Sequence, residues 1–191
     1  MSCQYDSNCI SEKYLKKYRE ILDIMISGMT EAKLTGSVSH NFIVQMIPHH
    51  MAAIEMSENI LKYTGNDNLI EIAENIISEQ TKSIENMKAI LCSCSGHMNS
   101  CCEVKEYQCR VNQIMKVMFD DMGGAYADNR IDCDFMREMI PHHMGAIRMS
   151  KNALRYDICA ELKPILKAII SSQEEGVCRM KMLLSELGCR Y

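Results

Sequence analysis

The sequence predicts an all-α fold, an antiparallel four-helix bundle with two additional helices packed alongside. Two observations lead to this class. Apolar residues recur at steps of three and four, as on one face of a helix, and no segment shows the sustained period-two alternation of a strand. An internal repeat supplies two matching sets of apolar helix faces, which can cover each other in a bundle.

The repeat is clearest in one segment, Met46–Ser57, which returns as Met139–Ser150. The same offset of 93 residues relates side chains far outside this segment, and these pairs are Tyr14 with Tyr107, Met25 with Met118, Phe42 with Phe135, and Gln80 with Gln173. Two homologous halves therefore cover nearly the whole chain.

The two halves are predicted to form a single helical domain over residues 1–191. The repeats cover about residues 11–91 and 104–187, and a cysteine-rich linker at 92–103 joins them. A pseudo-two-fold pairing of the halves would bring the two copies of the repeated segment close together.

The first helix of each half is predicted from its apolar stripe. In the first half this stripe includes Leu22 and Met29, and the helix covers about residues 11–34 before it ends near Gly36. Its counterpart in the second half covers about residues 104–127.

The second and third helices have recognisable ends. The second helix, about residues 39–63, contains the repeated segment and stops at Gly65, while its copy begins near Asp132. The third helices are predicted at residues 67–91 and 157–187. Pro164 then falls in the first turn of the last helix, where proline is tolerated.

Pro48 and Pro141 interrupt the helical pattern one residue before each histidine pair. Proline removes a backbone donor and clashes with the preceding turn, so the helix is expected to kink or to restart there. A kink would leave the carbonyl of Val44 or Arg137 without its usual partner, close to the imidazoles.

Four of the six histidines lie in the two copies of the repeated segment, and methionines surround each pair at helical spacing. Helical periodicity places His49 on the stripe that carries Phe42 and Met46, with His50 at its edge. Neutral imidazole and thioether suit Cu(I), a soft cation, whereas Mg²⁺ and Ca²⁺ require oxygen ligands. The sequence therefore predicts a copper site, with zinc as a second candidate, and its predicted ligands are Met46, His49, His50, Met56, Met139, His142, His143 and Met149.

Two other functions stay open at this point. Histidines beside apolar residues are often hydrogen-bonded core residues, and methionines often only fill space, so a structural or partner-binding module is one alternative. A metal-dependent or redox enzyme on the same bundle is the other. A di-iron site is excluded by ligand type, because Glu-x-x-His is absent from the chain. Simple packing is expected for four further methionines, Met25, Met29, Met118 and Met122.

Soft ligands also dominate the linker, which is a second candidate site for Zn(II) or Cu(I). Its candidate ligands are Cys92, Cys94, His97, Cys101 and Cys102. Their spacing matches no standard zinc-finger pattern, so disulfides or free thiols are the alternative. No motif surrounds the cysteines at the two ends of the chain, Cys3, Cys9, Cys159 and Cys189.

Charge and composition exclude several classes of function. The formal charge of −4 provides no basic surface for nucleic acid or anionic membranes, and no run of about 18 apolar residues could span a bilayer. The N-terminal residues lack the apolar stretch of an export signal, and eleven cysteines fall below the density of a disulfide scaffold, about 8–10%. We therefore expect a soluble, cytoplasmic protein with reduced thiols and with metal ions as partners. No catalytic residue is identified, and a homo-oligomer stays open.

The repeated segments resemble those of the domain of unknown function 305 family, a ferritin-like group of helical bundles. Its members commonly carry two Met-Ile-Pro-His-His-x-x-Ala-x-x-Met segments, and both are present here. The resemblance extends to Phe42 and Phe135, four residues before each segment. It implies a ferritin-like bundle and a role in copper binding or copper resistance through His and Met, often in exported proteins.

This chain departs from the family pattern at a few acidic positions. An aspartate three residues before the phenylalanine is kept as Asp132 but is Ser39 in the first half. A frequent glutamate in the third helices is replaced by Ser83 and Gly176. The resemblance therefore does not imply an acid-dependent role.

Overall fold

The computed structural model describes residues 2–190, with side chains from residue 9 onward. This part of the chain forms six helices and no strand, so the predicted all-α class is confirmed. The helices are α1 (Ser2–Thr30), α2 (Val38–Ile60), α3 (Asp67–Ser95), α4 (Cys101–Gly123), α5 (Ile131–Ala153) and α6 (Leu162–Glu186).

Helices α2, α3, α5 and α6 form the predicted four-helix bundle. Helix α2 packs against α3 and α5, and α6 packs against the same two helices. Short connections make α2–α3 and α5–α6 antiparallel pairs. Helix α1 lies on α2 and α4 lies on α5, as the two additional helices. None of the described helices is long and apolar enough to cross a lipid bilayer.

The segment predicted as a linker, 92–103, is mostly helical, which corrects that boundary. Helix α3 continues to Ser95, whose hydroxyl donates to the carbonyl of Leu91, 2.5 Å away. Helix α4 begins at Cys101 because Ser100 caps its N-terminus in a capping box with Glu103. Only residues 96–100 separate the two helices.

Helix α6 begins later than predicted, at Leu162 rather than near residue 157. Other segments hold the backbone of residues 157–161: the amide of Cys159 donates to Ser39 Oγ at 2.9 Å. Pro164 lies in the first turn of α6, as predicted. Helices α2 and α5 run without interruption through Pro48 and Pro141, so neither restarts there.

One hydrophobic core contains buried residues of all six helices. The four methionines predicted to pack, Met25, Met29, Met118 and Met122, all lie in it. Matching hydrogen bonds join the halves to their outer helices: Asn59 Nδ2 donates to the carbonyl of Tyr14, and Asn152 Nδ2 donates to that of Tyr107. These pairs obey the 93-residue offset, which supports the pseudo-two-fold arrangement.

Candidate metal centre

His49 of α2 and His142 of α5 stack at the centre of the bundle. Their ring centroids lie 3.6 Å apart, and both residues are fully buried. Nε2 of His49 lies 3.2 Å from the carbonyl oxygen of His142, and Nε2 of His142 lies 3.0 Å from that of His49. A carbonyl oxygen only accepts, so we assign the proton of each ring to Nε2. Each Nδ1 then carries a free lone pair.

His50 and His143, the next residue on each helix, lie beside this pair. Their rings lie 5.8 Å and 5.9 Å from those of His49 and His142 on the same helices. We call these four residues the imidazole row, His49 and His142 the inner pair, and His50 and His143 the outer pair. The predicted proximity of the two repeated segments is thereby confirmed.

The outer histidines have different neighbours in the two halves. Nε2 of His50 lies 3.0 Å from the hydroxyl oxygen of Ser83 on α3. The corresponding residue on α6 is Gly176, and a Cβ there would lie 3.1 Å from Nε2 of His143. His143 therefore lacks the hydroxyl that His50 meets, and a side chain at position 176 would crowd its ring.

Burial keeps all four imidazoles neutral at ordinary pH. It lowers the pKa of His50 to about 3 and that of His142 to about 4. Burial, followed by the neighbouring histidines, holds the pKa values of His49 and His143 well below their usual range. Neutral imidazole is the form that binds metal ions.

Two cavities connect the outer pair to the surface between α3 and α6. The cavity at His50 has a volume of about 200 Å³, and the cavity at His143 about 220 Å³. Exposed Glu79 lines both, together with Ser172. Partial burial and the nearby Glu175 raise the pKa of Glu79. An ion could reach the outer pair from this face of the bundle.

The four predicted methionine ligands, Met46, Met56, Met139 and Met149, are buried in the core. Met46 and Met139 lie one helical turn before the inner histidines, on the same faces of α2 and α5. Each repeated segment thus contributes buried thioethers to the core that contains the imidazoles.

A buried acid near the row was not predicted as a site residue. Glu138 lies one turn before His142, and Tyr14 Oη donates to its Oε2 at 2.5 Å. Burial raises the pKa of Glu138 well above its usual range. The counterpart Gln45 donates instead to the carbonyl of Met29. The only sequence signal of this buried acid is the position of Glu138, four residues before His142.

The structure does not bring the five linker candidates together, which corrects that prediction. Cys92, Cys101 and Cys102 are exposed, and His97 pairs with Asp157. Buried Cys94 forms a disulfide with Cys159, while Cys133 pairs with Cys189. These four cysteines are therefore not reduced thiols, and Cys159 and Cys189 are not isolated. Their partners are 65 and 56 residues away in sequence, too far for local spacing to indicate.

Similarity to known proteins is found among solved structures. No curated protein matches the sequence significantly. Among solved structures, the silver-bound form of CopM is 26% identical with a TM-score of 0.60, covering 80% of this chain and 98% of that one. Its Cu(II)-bound form is 26% identical with a TM-score of 0.58, covering 78% and 97%. A fragment from Deinococcus radiodurans is 20% identical with a TM-score of 0.57, covering 81% and 98%, which shows a shared fold.

A family model spans most of the chain. It is described as Domain of unknown function (DUF305), and it matches residues 39–184, from the start of α2 to the last turn of α6. Both histidine pairs and nearly all of the four-helix bundle lie within this match. The chain belongs to the DUF305 family.

Proposed function

We propose that this protein binds and buffers copper ions, with the imidazole row and the buried thioethers beside it as ligands. The observation that carries the proposal is a group of four adjacent, buried, neutral imidazoles at the centre of the bundle. Cu(I) is the favoured ion because sulfur and imidazole ligands suit a soft cation, and zinc is the second candidate.

Unpartnered nitrogen atoms support a ligand role. Nδ1 of His49, His50 and His142 is buried, and none of these atoms has a hydrogen-bond partner among the described residues. Leaving such an atom unpaired costs about 1–3 kcal/mol. A metal ion would satisfy these lone pairs. The inner pair can coordinate through Nδ1 while each Nε2–H keeps its bond to the opposite carbonyl.

The similar structures support the choice of metal. CopM has been solved with silver and with Cu(II), at 26% identity to this chain. Silver(I) is a soft monovalent cation like Cu(I), and thioether and imidazole ligands suit both. The core of this protein contains both thioether and imidazole side chains.

The reciprocal bonds of the inner pair favour a second, structural role for His49 and His142. Because each Nε2 donates to the backbone of the other half, these residues also join the two repeats. The outer pair lines cavities and is the better probe of metal binding.

A competition titration tests the proposal. Protein with its exposed thiols alkylated and both disulfides intact is titrated anaerobically with Cu(I) against a chromogenic chelator. We expect tight binding that weakens at least about tenfold when His50 and His143 are both changed to Ala. His40→Ala, outside the repeated segment and half-buried, is the matched control. Equal affinity in all three proteins would overturn the proposal.

A further inference from the structure

A group of side chains of the types that bind metal ions lies away from the imidazole row, where the α5–α6 connection meets the end of α3. It consists of Cys94 in the last turns of α3, Cys159 in the connection, and Glu161 just before α6. The two sulfur atoms and a carboxylate oxygen of Glu161 all lie within 4.8 Å of one another. Among the described residues, no other three His, Cys, Asp or Glu side chains are so close.

Hydrogen bonds hold the two cysteines together independently of the disulfide. Ser37 Oγ donates to the carbonyl of Cys94 at 3.0 Å, and Ser39 Oγ accepts from the amide of Cys159 at 2.9 Å. Both serines belong to the start of α2, which therefore bridges the two segments. After reduction the thiols would stay adjacent, because these bonds do not involve sulfur.

The donor set indicates the metal. Two thiolates and a carboxylate are ligands that Zn(II) accepts together, at about 2.0–2.3 Å each. Cys94 is fully buried and Glu161 is exposed, so one side of the site is dry and the other faces water. His97 lies nearby in sequence, but its Nε2 is 3.1 Å from Asp157 Oδ2 and faces that carboxylate.

We propose that Cys94, Cys159 and Glu161 form a zinc site that opens when the Cys94–Cys159 disulfide is reduced, with water in the fourth position. The proposal does not depend on copper binding, since it shares no residue with the imidazole row. It places a redox-controlled site at a junction that ties α2, α3 and the α5–α6 connection together.

The reduction step needs a dithiol reductant. One of its thiolates attacks a sulfur of the Cys94–Cys159 bond, and its second thiol then resolves the mixed disulfide. The products are two protein thiols and the disulfide of the reductant, with two electrons and two protons transferred. Zn(II) then replaces both thiol protons, which are released to solvent.

The Cys133–Cys189 pair is a matched control. It is also a disulfide between distant segments, but no third His, Cys, Asp or Glu side chain completes a group around it among the described residues. A pair of thiols alone should bind zinc less tightly than the same pair with a carboxylate.

Zinc competition against a chromogenic chelator tests the site. The test protein carries Ser at the cysteines outside the two pairs, Cys3, Cys9, Cys92, Cys101, Cys102, Cys109 and Cys178. Oxidised and reduced samples are compared, so that any zinc on the histidines appears in both. Co(II) substitution of the reduced sample reports thiolate ligation through its charge-transfer absorption.

We expect a tight zinc site in the reduced sample alone. Cys159→Ser should abolish it, and Glu161→Gln, at an exposed position whose side chain makes no capping hydrogen bond, should weaken it at least about tenfold. Replacing both Cys133 and Cys189 with Ser should leave it intact. Equal zinc binding in the oxidised sample, or full affinity in Glu161→Gln, would overturn the proposal.

Discussion

The imidazole rings of His49 and His142 stack 3.6 Å apart, and each ring nitrogen Nε2 faces the main-chain carbonyl of the other residue. The two halves therefore exchange equivalent hydrogen bonds at the centre of the bundle. This arrangement fixes the ring tautomer, and it leaves Nδ1 of both rings buried without a hydrogen-bond partner among the described residues. One contact thus serves both the fold and the proposed metal centre.

The inner pair should contribute strongly to stability. His142→Ala removes a hydrogen bond between the halves and leaves a cavity, so we expect the free energy of unfolding of the metal-free protein to fall by about 2–4 kcal/mol. Urea unfolding measures this change. The exposed Arg148→Ala on the same helix should cost less than about 0.5 kcal/mol. A loss below about 1 kcal/mol for His142→Ala would contradict the structural role.

Acid should destabilise the metal-free protein through the imidazole row. In the unfolded chain a histidine gains its proton near pH 6.5, whereas the folded pKa is about 3 for His50 and about 4 for His142. Between these values the unfolded chain binds more protons, so the free energy of unfolding falls as the pH is lowered. The slope is up to about 1.4 kcal/mol per pH unit for each histidine. Urea unfolding between about pH 7 and about pH 4.5 should show this fall in the free energy of unfolding. His50→Gln is the control, because it removes one titrating imidazole and should make the slope shallower.

Glu138 should have the opposite dependence on pH. Its folded pKa is raised by burial, so its stabilising effect is present below the unfolded pKa and is lost as the pH rises through the folded value. Glu138→Gln carries the amide found at the corresponding Gln45 and cannot ionise. We expect this variant to become more stable than the wild type as the pH rises above neutrality. Thermal unfolding of both proteins at several pH values measures the difference. A constant difference at every pH would show that the pKa of Glu138 is not raised in the native state.

Gly176 should control access to His143. Gly176→Ser would place a Cβ about 3.1 Å from Nε2 and fill part of the cavity. We expect weaker copper binding by the chelator assay and little change in melting temperature. Gly123→Ser, in α4 with no atom within 4 Å of an added Cβ, is the control. Unchanged affinity in Gly176→Ser would show that copper does not use the His143 cavity.

Much of this architecture follows from periodicity. The stripe positions Met25 and Met118 are core residues, and the 93-residue offset correctly brings His49 and His142 together. A repeated pattern constrains the fold because equivalent helices must bury equivalent faces. Whether these histidines and methionines bind metal remains a prediction.

Other features depend on contacts that no local pattern contains. The Cys94–Cys159 pair forms because α2 ties both segments to its first turn, which no cysteine spacing indicates. The sequence shows the difference between Ser83 and Gly176, but its effect on the outer pair depends on how α3 and α6 approach the row. The start of α4 is different, because the capping box of Ser100 and Glu103 is a local signal in the sequence.

X-ray absorption spectroscopy of the Cu(I)-loaded protein tests the central claim most directly, with both disulfides intact and the cysteines outside them changed to Ser. Imidazole rings produce characteristic multiple scattering, and thioether sulfur adds a separate, longer shell. The account predicts both signals, with the imidazole signal reduced when His50 and His143 are changed to Ala. Bound copper without imidazole scattering, or an unchanged spectrum in that variant, would contradict it.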